Sequence, residues 1–235
     1  MDKDSRLHGN DAWESMPLTA LYLMLLFAAG LFLVVLIHVG AITIAFDKLG
    51  LSPQAGLLLL LGSLIGSGIN VPVYVRKQRA DIFDIDNPLK PLSWGLPHYG
   101  FQGKTLIAIN LGGCIIPVGV SLYLLNQHPL SLAVTGLALA VVASASYAFS
   151  RPIAGLGIGM PLFIAPLVSA LTATLLDPAH SAPLAYISGT LGVLIGADLL
   201  RLRDIDRIGV AVASIGGAGT FDGIFFTGII AALLA

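Results

Sequence analysis

The chain has 235 residues, 56% of them hydrophobic and only 11% charged, with a formal net charge of −1 and a mean hydropathy of +0.90. Soluble domains carry about 25% charged residues, so the composition excludes a water-solvated globule and points to an all-α, polytopic membrane protein. A single cysteine, Cys114, excludes an intrachain disulfide or a cysteine zinc cluster. No basic stripe with interleaved aromatics points to nucleic acid.

Met1–Met16 is polar and reads as a cytoplasmic N-terminal tail ahead of one transmembrane domain, 17–235. The apolar run that follows is too long for a signal-peptide core and reads as a retained first span. Seven apolar segments succeed one another: Pro17–Phe46, Ala55–Val75, Thr105–Leu125, Ser131–Ser150, Ile153–Leu176, Pro183–Leu200 and Ile208–Ala235. Most are long enough, at about 1.5 Å per residue, to cross a hydrocarbon core of about 30 Å. With the N-terminus cytoplasmic, eleven of the twelve Lys and Arg residues fall on the inside and only Lys48 falls outside. That bias fits seven spans in the cell (inner) membrane with the C-terminus outside.

The long loop after the second segment, 76–104, is predicted to be cytoplasmic. Its Asp81, Asp84 and Asp86 lack the Gly and terminal Glu of a Ca²⁺ loop, so a solvated loop is expected and no metal site. No cofactor is implied. Glycines four apart, at Gly62/Gly66, Gly155/Gly159 and Gly192/Gly196, predict close helix–helix packing.

Two carboxylates stand inside apolar runs, Asp198 in the sixth segment and Asp222 in the seventh. A charged side chain at the bilayer centre costs at least ~2.5–3.5 kcal/mol, so such residues mark function by default. Counting from Arg201 puts Asp198 ~4–5 Å below the cytoplasmic end of its helix, and the same count puts Asn70 and Asn110 at ~9 Å on two other spans. Asp222 would lie ~21 Å away if its helix began at Ile208. The stretch Gly209–Gly219 is β-branched and Gly-rich, however, which predicts a non-helical or re-entrant segment. A helix starting near Thr220 would then bring Asp222 towards Asp198.

Two resemblances follow from these residues. Phe221–Leu234 after the glycine cluster, with Asp198 at the end of the preceding helix, resembles the paired catalytic segments of presenilin- and signal-peptide-peptidase-type intramembrane aspartyl proteases. The chain departs from that pattern in having Ala197 where the family has Tyr, and two residues between Gly219 and Asp222. Ala185–Leu202 with Gly209–Phe225 resembles a family of uncharacterised bacterial and archaeal multi-pass membrane proteins, which implies a fold family and no activity.

Three functions fit the residues. In an intramembrane aspartyl hydrolase, Asp198 and Asp222 would share a proton and activate a water, with Gly216, Gly217 and Gly219 leaving backbone free to bind a transmembrane peptide. In a small proton- or cation-coupled transporter, Asn70 and Asn110 would contact a solute. In a non-catalytic assembly factor, the polar groups would only join helices. The bilayer is the one partner common to all three.

Overall fold

The computed structural model describes residues 27, 30–31, 39–77, 104–153, 157–207, 210–217 and 223–235. The chain divides into two units, Met1–Ile42 and Thr43–Ala235, and the second carries the architecture described here. The 76–104 loop with its three aspartates, Gly155, Gly219 and Asp222 lie outside the described residues, except for the loop's first two residues and its last.

The fold is mostly helical, but it is not all-α. Helix α1 (Val39–Lys48) is followed after a sharp break, bent by 113°, by α2 (Pro53–Ser67). Ser52 caps α2 by accepting from the Ala55 N–H at 3.3 Å, and Pro53 takes the first helical position, where no N–H is needed. Then come strand β1 (Asn70–Lys77) and strand β2 (Lys104–Asn110). A π-helical turn, Leu111–Ile115, leads into α3 (Ile116–Gln127), and α4 (Leu132–Phe149) follows. A short hairpin, β3 (Arg151–Ile153) with β4 (Gly157–Gly159), precedes α5 (Ile164–Leu176). Helix α6 (Ser181–Val193) continues as a π-helical segment, Leu194–Leu199, and a 3₁₀ turn, Leu202–Arg207. Strand β5 (Val212–Ile215) and α7 (Gly223–Leu234) complete the chain.

The expectation that all seven apolar runs are continuous helices is therefore corrected. Four of the apolar runs are each built from strand and short helix. Ala55–Val75 leaves the helix after Ser67 and turns into β1, and Thr105–Leu125 begins as β2. Ile153–Leu176 holds β4 before α5, and Ile208–Ala235 holds β5 before α7. By length and apolarity, two described helical stretches can cross a membrane, Leu132–Phe149 and Pro178–Leu199, or three if α1 and α2 form one broken span. The local reason lies in composition. Asn70–Lys77 (NVPVYVRK) and Val212–Ile215 (VASI) are rich in β-branched residues, which lose rotamer freedom in a helix and pack well in a strand. Pro72 marks a register shift in β1, an outer strand, where its missing N–H is tolerated.

Three of the described strands form a small mixed sheet in the order β1–β2–β5, apart from the β3–β4 hairpin. β1 runs antiparallel to β2, with Asn70 opposite Asn110, and β5 runs parallel to β2, with Ser214 opposite Ala108. The parallel pairing joins strands that are separated by α3 to α6, so the sheet ties the start of the domain to its end.

Helix α6 is the core. Leu184, Ala185, Tyr186 and Ile187 are all buried, and α4, α5 and α7 pack around it. Glycine makes that approach possible. A Cβ on Gly196 would lie 2.2 Å from the Ala143 carbonyl oxygen, and one on Gly192 would lie 2.7 Å from Val142 Cγ1. The Gly192/Gly196 spacing thus seats α6 on α4 as the sequence predicts. Gly66 serves likewise, meeting the Gly112 backbone. Gly159 does not, because it sits in strand β4.

Candidate functional site: a carboxylate cavity beside an outer strand

Asp198 lies in the π-helical end of α6, a local widening shown by the Leu200 N–H bonding back to the Ile195 carbonyl at 2.9 Å. Such widenings recur at functional sites. The carboxylate is half-buried, and its Oδ2 accepts the Gly216 N–H at 2.7 Å. Gly216 follows β5 with φ +86, and Gly217 continues the turn with φ +98. Both angles belong to the left-handed region that glycine enters freely. A Cβ on Gly216 would also sit 2.7 Å from both Cβ and N of Cys114. No other residue fits there, and the turn aims its N–H at Asp198.

The three polar residues that the topology had grouped do gather around β5, by two separate routes. Asn70 opens β1, Asn110 closes β2, and the two are partners in the ladder. Asn110 donates from Nδ2 to the Ser67 carbonyl at 2.7 Å and to Asn70 Oδ1 at 3.1 Å. Its own Oδ1 accepts the Gly113 N–H at 2.7 Å, capping the π-helical turn. Ser214 Oγ, on β5, donates to Asn70 Oδ1. Asn110 is 1% exposed and neither asparagine lines the cavity. Their amides join α2, the sheet and the start of α3, which is the work of structural polar groups.

Asp198 instead faces a cavity of about 400 Å³. Its walls come from the β3–β4 hairpin (Ile158, with Met160 just beyond it), from the end of α6, from β5 including Ser214, and from the start of α7 (Ile224, Thr227). Asp198 is the one ionisable side chain among the described residues that line it. Gly217 lines it too, and so does Gly223, the chain neighbour of Asp222. Among the described residues no three His, Cys, Asp or Glu side chains gather as metal ligands.

Sequence reasoning missed Ser214, Thr227 and the β3–β4 wall. Ser214 had a readable signal, since it is a polar residue in the β-branched, Gly-rich stretch Gly209–Gly219. Thr227 and Met160 carried none, being ordinary residues of apolar runs.

The class these features define is a mostly helical protein with stretches long and apolar enough to cross a membrane, a small mixed sheet and a cavity lined by one carboxylate. Within that class, residues 64–234 match the family described as "Protein of unknown function (DUF1614)", and the chain belongs to that family. The matched stretch begins inside α2 and takes in every element that builds the cavity. No curated protein and no solved structure matches the chain.

Proposed function

We propose that this protein is an intramembrane hydrolase of the aspartyl type, acting on a peptide bound in extended form along β5. The observation that carries the reading is the cavity itself: it holds one ionisable side chain among the described residues, the Asp198 carboxylate, and Gly223 on its wall directly follows Asp222 in the sequence. Among the described residues, Asp198 accepts one hydrogen bond, on Oδ2 from the Gly216 N–H. β5 is an outer strand among the described residues and lines the chamber, so its backbone suits pairing with an extended segment.

In this mechanism one aspartate takes a proton from water as the water oxygen attacks the peptide carbonyl. The other gives its proton to the carbonyl oxygen; as the C–N bond then breaks, the first aspartate passes its proton to the leaving amine and the second takes one back from a hydroxyl of the gem-diol. The reading includes seven crossings of the cell membrane, four of them completed by strand plus helix, with the Asp198 end on the cytoplasmic side.

A hydroxyl-bearing statine-type peptide isostere with a benzophenone group tests the reading. It should photolabel the purified protein on β5 or α7, and labelling should fall at least about tenfold in Asp198→Asn and in Asp222→Asn, as expected when a charge-assisted hydrogen bond is lost. Labelling that is unchanged in either variant would refute the reading.

A further inference from the structure

Strands of both sheets line the chamber of Asp198, and each brings backbone groups that its own sheet does not use. Among the described residues β5 pairs with β2 on one side only. In that parallel ladder the Leu106 N–H bonds to the Ala211 carbonyl at 2.9 Å, and Ala213 stands opposite Ile107. Bonding residues alternate along such a strand, so Ala211, Ala213 and Ile215 turn their backbone groups to β2, and Val212 and Ser214 turn theirs away. β4 pairs with β3, with Ile158 opposite Pro152. Pro152 has no N–H. The ladder bonds therefore fall to the neighbouring pairs, Arg151 with Gly159 and Ile153 with Gly157, and the N–H and C=O of Ile158 point away from β3.

Among the described residues the backbones of Ile158, Val212 and Ser214 make no bond outside these ladders. All three residues line the one cavity, and Ile158 and Ser214 are half-buried. Backbone donors and acceptors drawn out of water need partners. The space suits one strand. Strands lie about 4.8 Å apart, a residue advances about 3.3 Å and a side-chain layer is about 10 Å thick, so three residues of a strand fill ~480 Å³. The cavity measures about 400 Å³. Val193, Leu202, Ile205 and Ile224 also line it, which suits aliphatic side chains on that strand.

We propose that the chamber is a slot for one extended peptide segment with aliphatic side chains, paired on one edge with β5 through Val212 and Ser214 and on the other with β4 through Ile158. The two sheets then become one, in the order β1–β2–β5–peptide–β4–β3. The slot rests on the reading of an extended peptide along β5 and adds a second edge to it, and it needs no chemistry at Asp198.

Peptides N-methylated at alternate residues test the slot. Successive residues of a strand turn their N–H groups to opposite edges, so methylating every second nitrogen blocks one edge and spares the other. A capped eight-residue peptide of valine, leucine and alanine, carrying fluorescein, is titrated with the full chain in non-ionic detergent and read by anisotropy against empty micelles. The unmethylated peptide should bind, and both alternately methylated forms should bind at least about tenfold more weakly. An alternately methylated form with full affinity would overturn the slot and leave pairing with β5 alone standing. The peptide carries no hydroxyl isostere, so isostere labelling indifferent to Asp198 would strike the hydrolase reading and leave the slot. Trapping locates the second edge. In a Cys114→Ser background, a peptide with one central cysteine should be captured under mild oxidant by both Ile158→Cys and Val212→Cys, because opposed cross-strand Cβ atoms lie about 4.5–5.5 Å apart. Capture by Val212→Cys alone would contradict β4 as the second edge.

Discussion

Replacing Asn110 by alanine should be among the most damaging single changes at the sheet, although the residue touches no cavity. Its amide holds three partners, the Ser67 carbonyl, Asn70 Oδ1 and the Gly113 N–H, at 2.7, 3.1 and 2.7 Å. Asn70 Oδ1 keeps Ser214 as a donor after the change, but the Ser67 carbonyl and the Gly113 N–H each lose this side-chain partner. A buried polar group left unpaired costs about 1–3 kcal/mol, which gives about 2–6 kcal/mol for Asn110→Ala. Asn70→Ala leaves those two bonds intact; the half-buried Ser214 hydroxyl lines the cavity and can turn into it, so only one Asn110 N–H is stranded and the change should cost about 1–2 kcal/mol. Reversible unfolding of the purified chain in mixed micelles, titrated with a denaturing detergent and followed by circular dichroism, measures both. An Asn110→Ala chain within 0.5 kcal/mol of wild type, or an Asn70→Ala chain equally destabilised, would refute the capping role argued for Asn110.

Other expectations follow from packing. A Cβ on Gly112 would sit 2.1 Å from the Ser63 carbonyl oxygen and 2.4 Å from the Ser67 nitrogen, so Gly112→Ala should cost about 3 kcal/mol, the upper end for overpacking. Gly136, in α4, has nothing within 4 Å of that position, so Gly136→Ala should raise stability by about 0.5–1 kcal/mol in the same unfolding assay. Gly216→Ala forces a side chain into left-handed backbone (φ +86) against Cys114. It should cost about 1–3 kcal/mol and abolish photolabelling by the statine-type isostere, because the N–H that holds Asp198 moves away. Full labelling of a folded Gly216→Ala chain would count against that role.

Much of the site was legible in the sequence and much of the fold was not, for different physical reasons. Asp198 stood out because a carboxylate in an apolar run demands a role, and the glycines and β-branched residues of Gly209–Gly219 announced a break that the structure realises as β5 and the Gly216–Gly217 turn. Gly192 and Gly196 announced the α6–α4 contact because only small residues allow backbones so close. The strands were hidden because an unbroken apolar run has no period: a buried strand and a buried helix read alike over a short stretch. Thr105–Leu125 is apolar throughout, yet it changes from strand to helix at Asn110, where one side-chain cap makes the switch. Asn70 and Asn110 do meet, as ladder partners of β1 and β2 rather than as polar groups on two helices, and their other partners lie across the fold. Only the β1–β2 ladder and the parallel β5 reveal that their amides are already occupied.

The account turns on whether Asp222 shares the chamber of Asp198, and a cysteine bridge measures this directly. In a Cys114→Ser background, Asp198→Cys and Asp222→Cys should form an intramolecular disulfide under mild oxidant, or a bridge with a methylene-linked bis-thiosulfonate, since a disulfide requires Cα atoms about 4.4–6.8 Å apart. Two thiols that both react with a monofunctional maleimide in the folded chain, yet form neither bridge, would contradict the aspartyl pair.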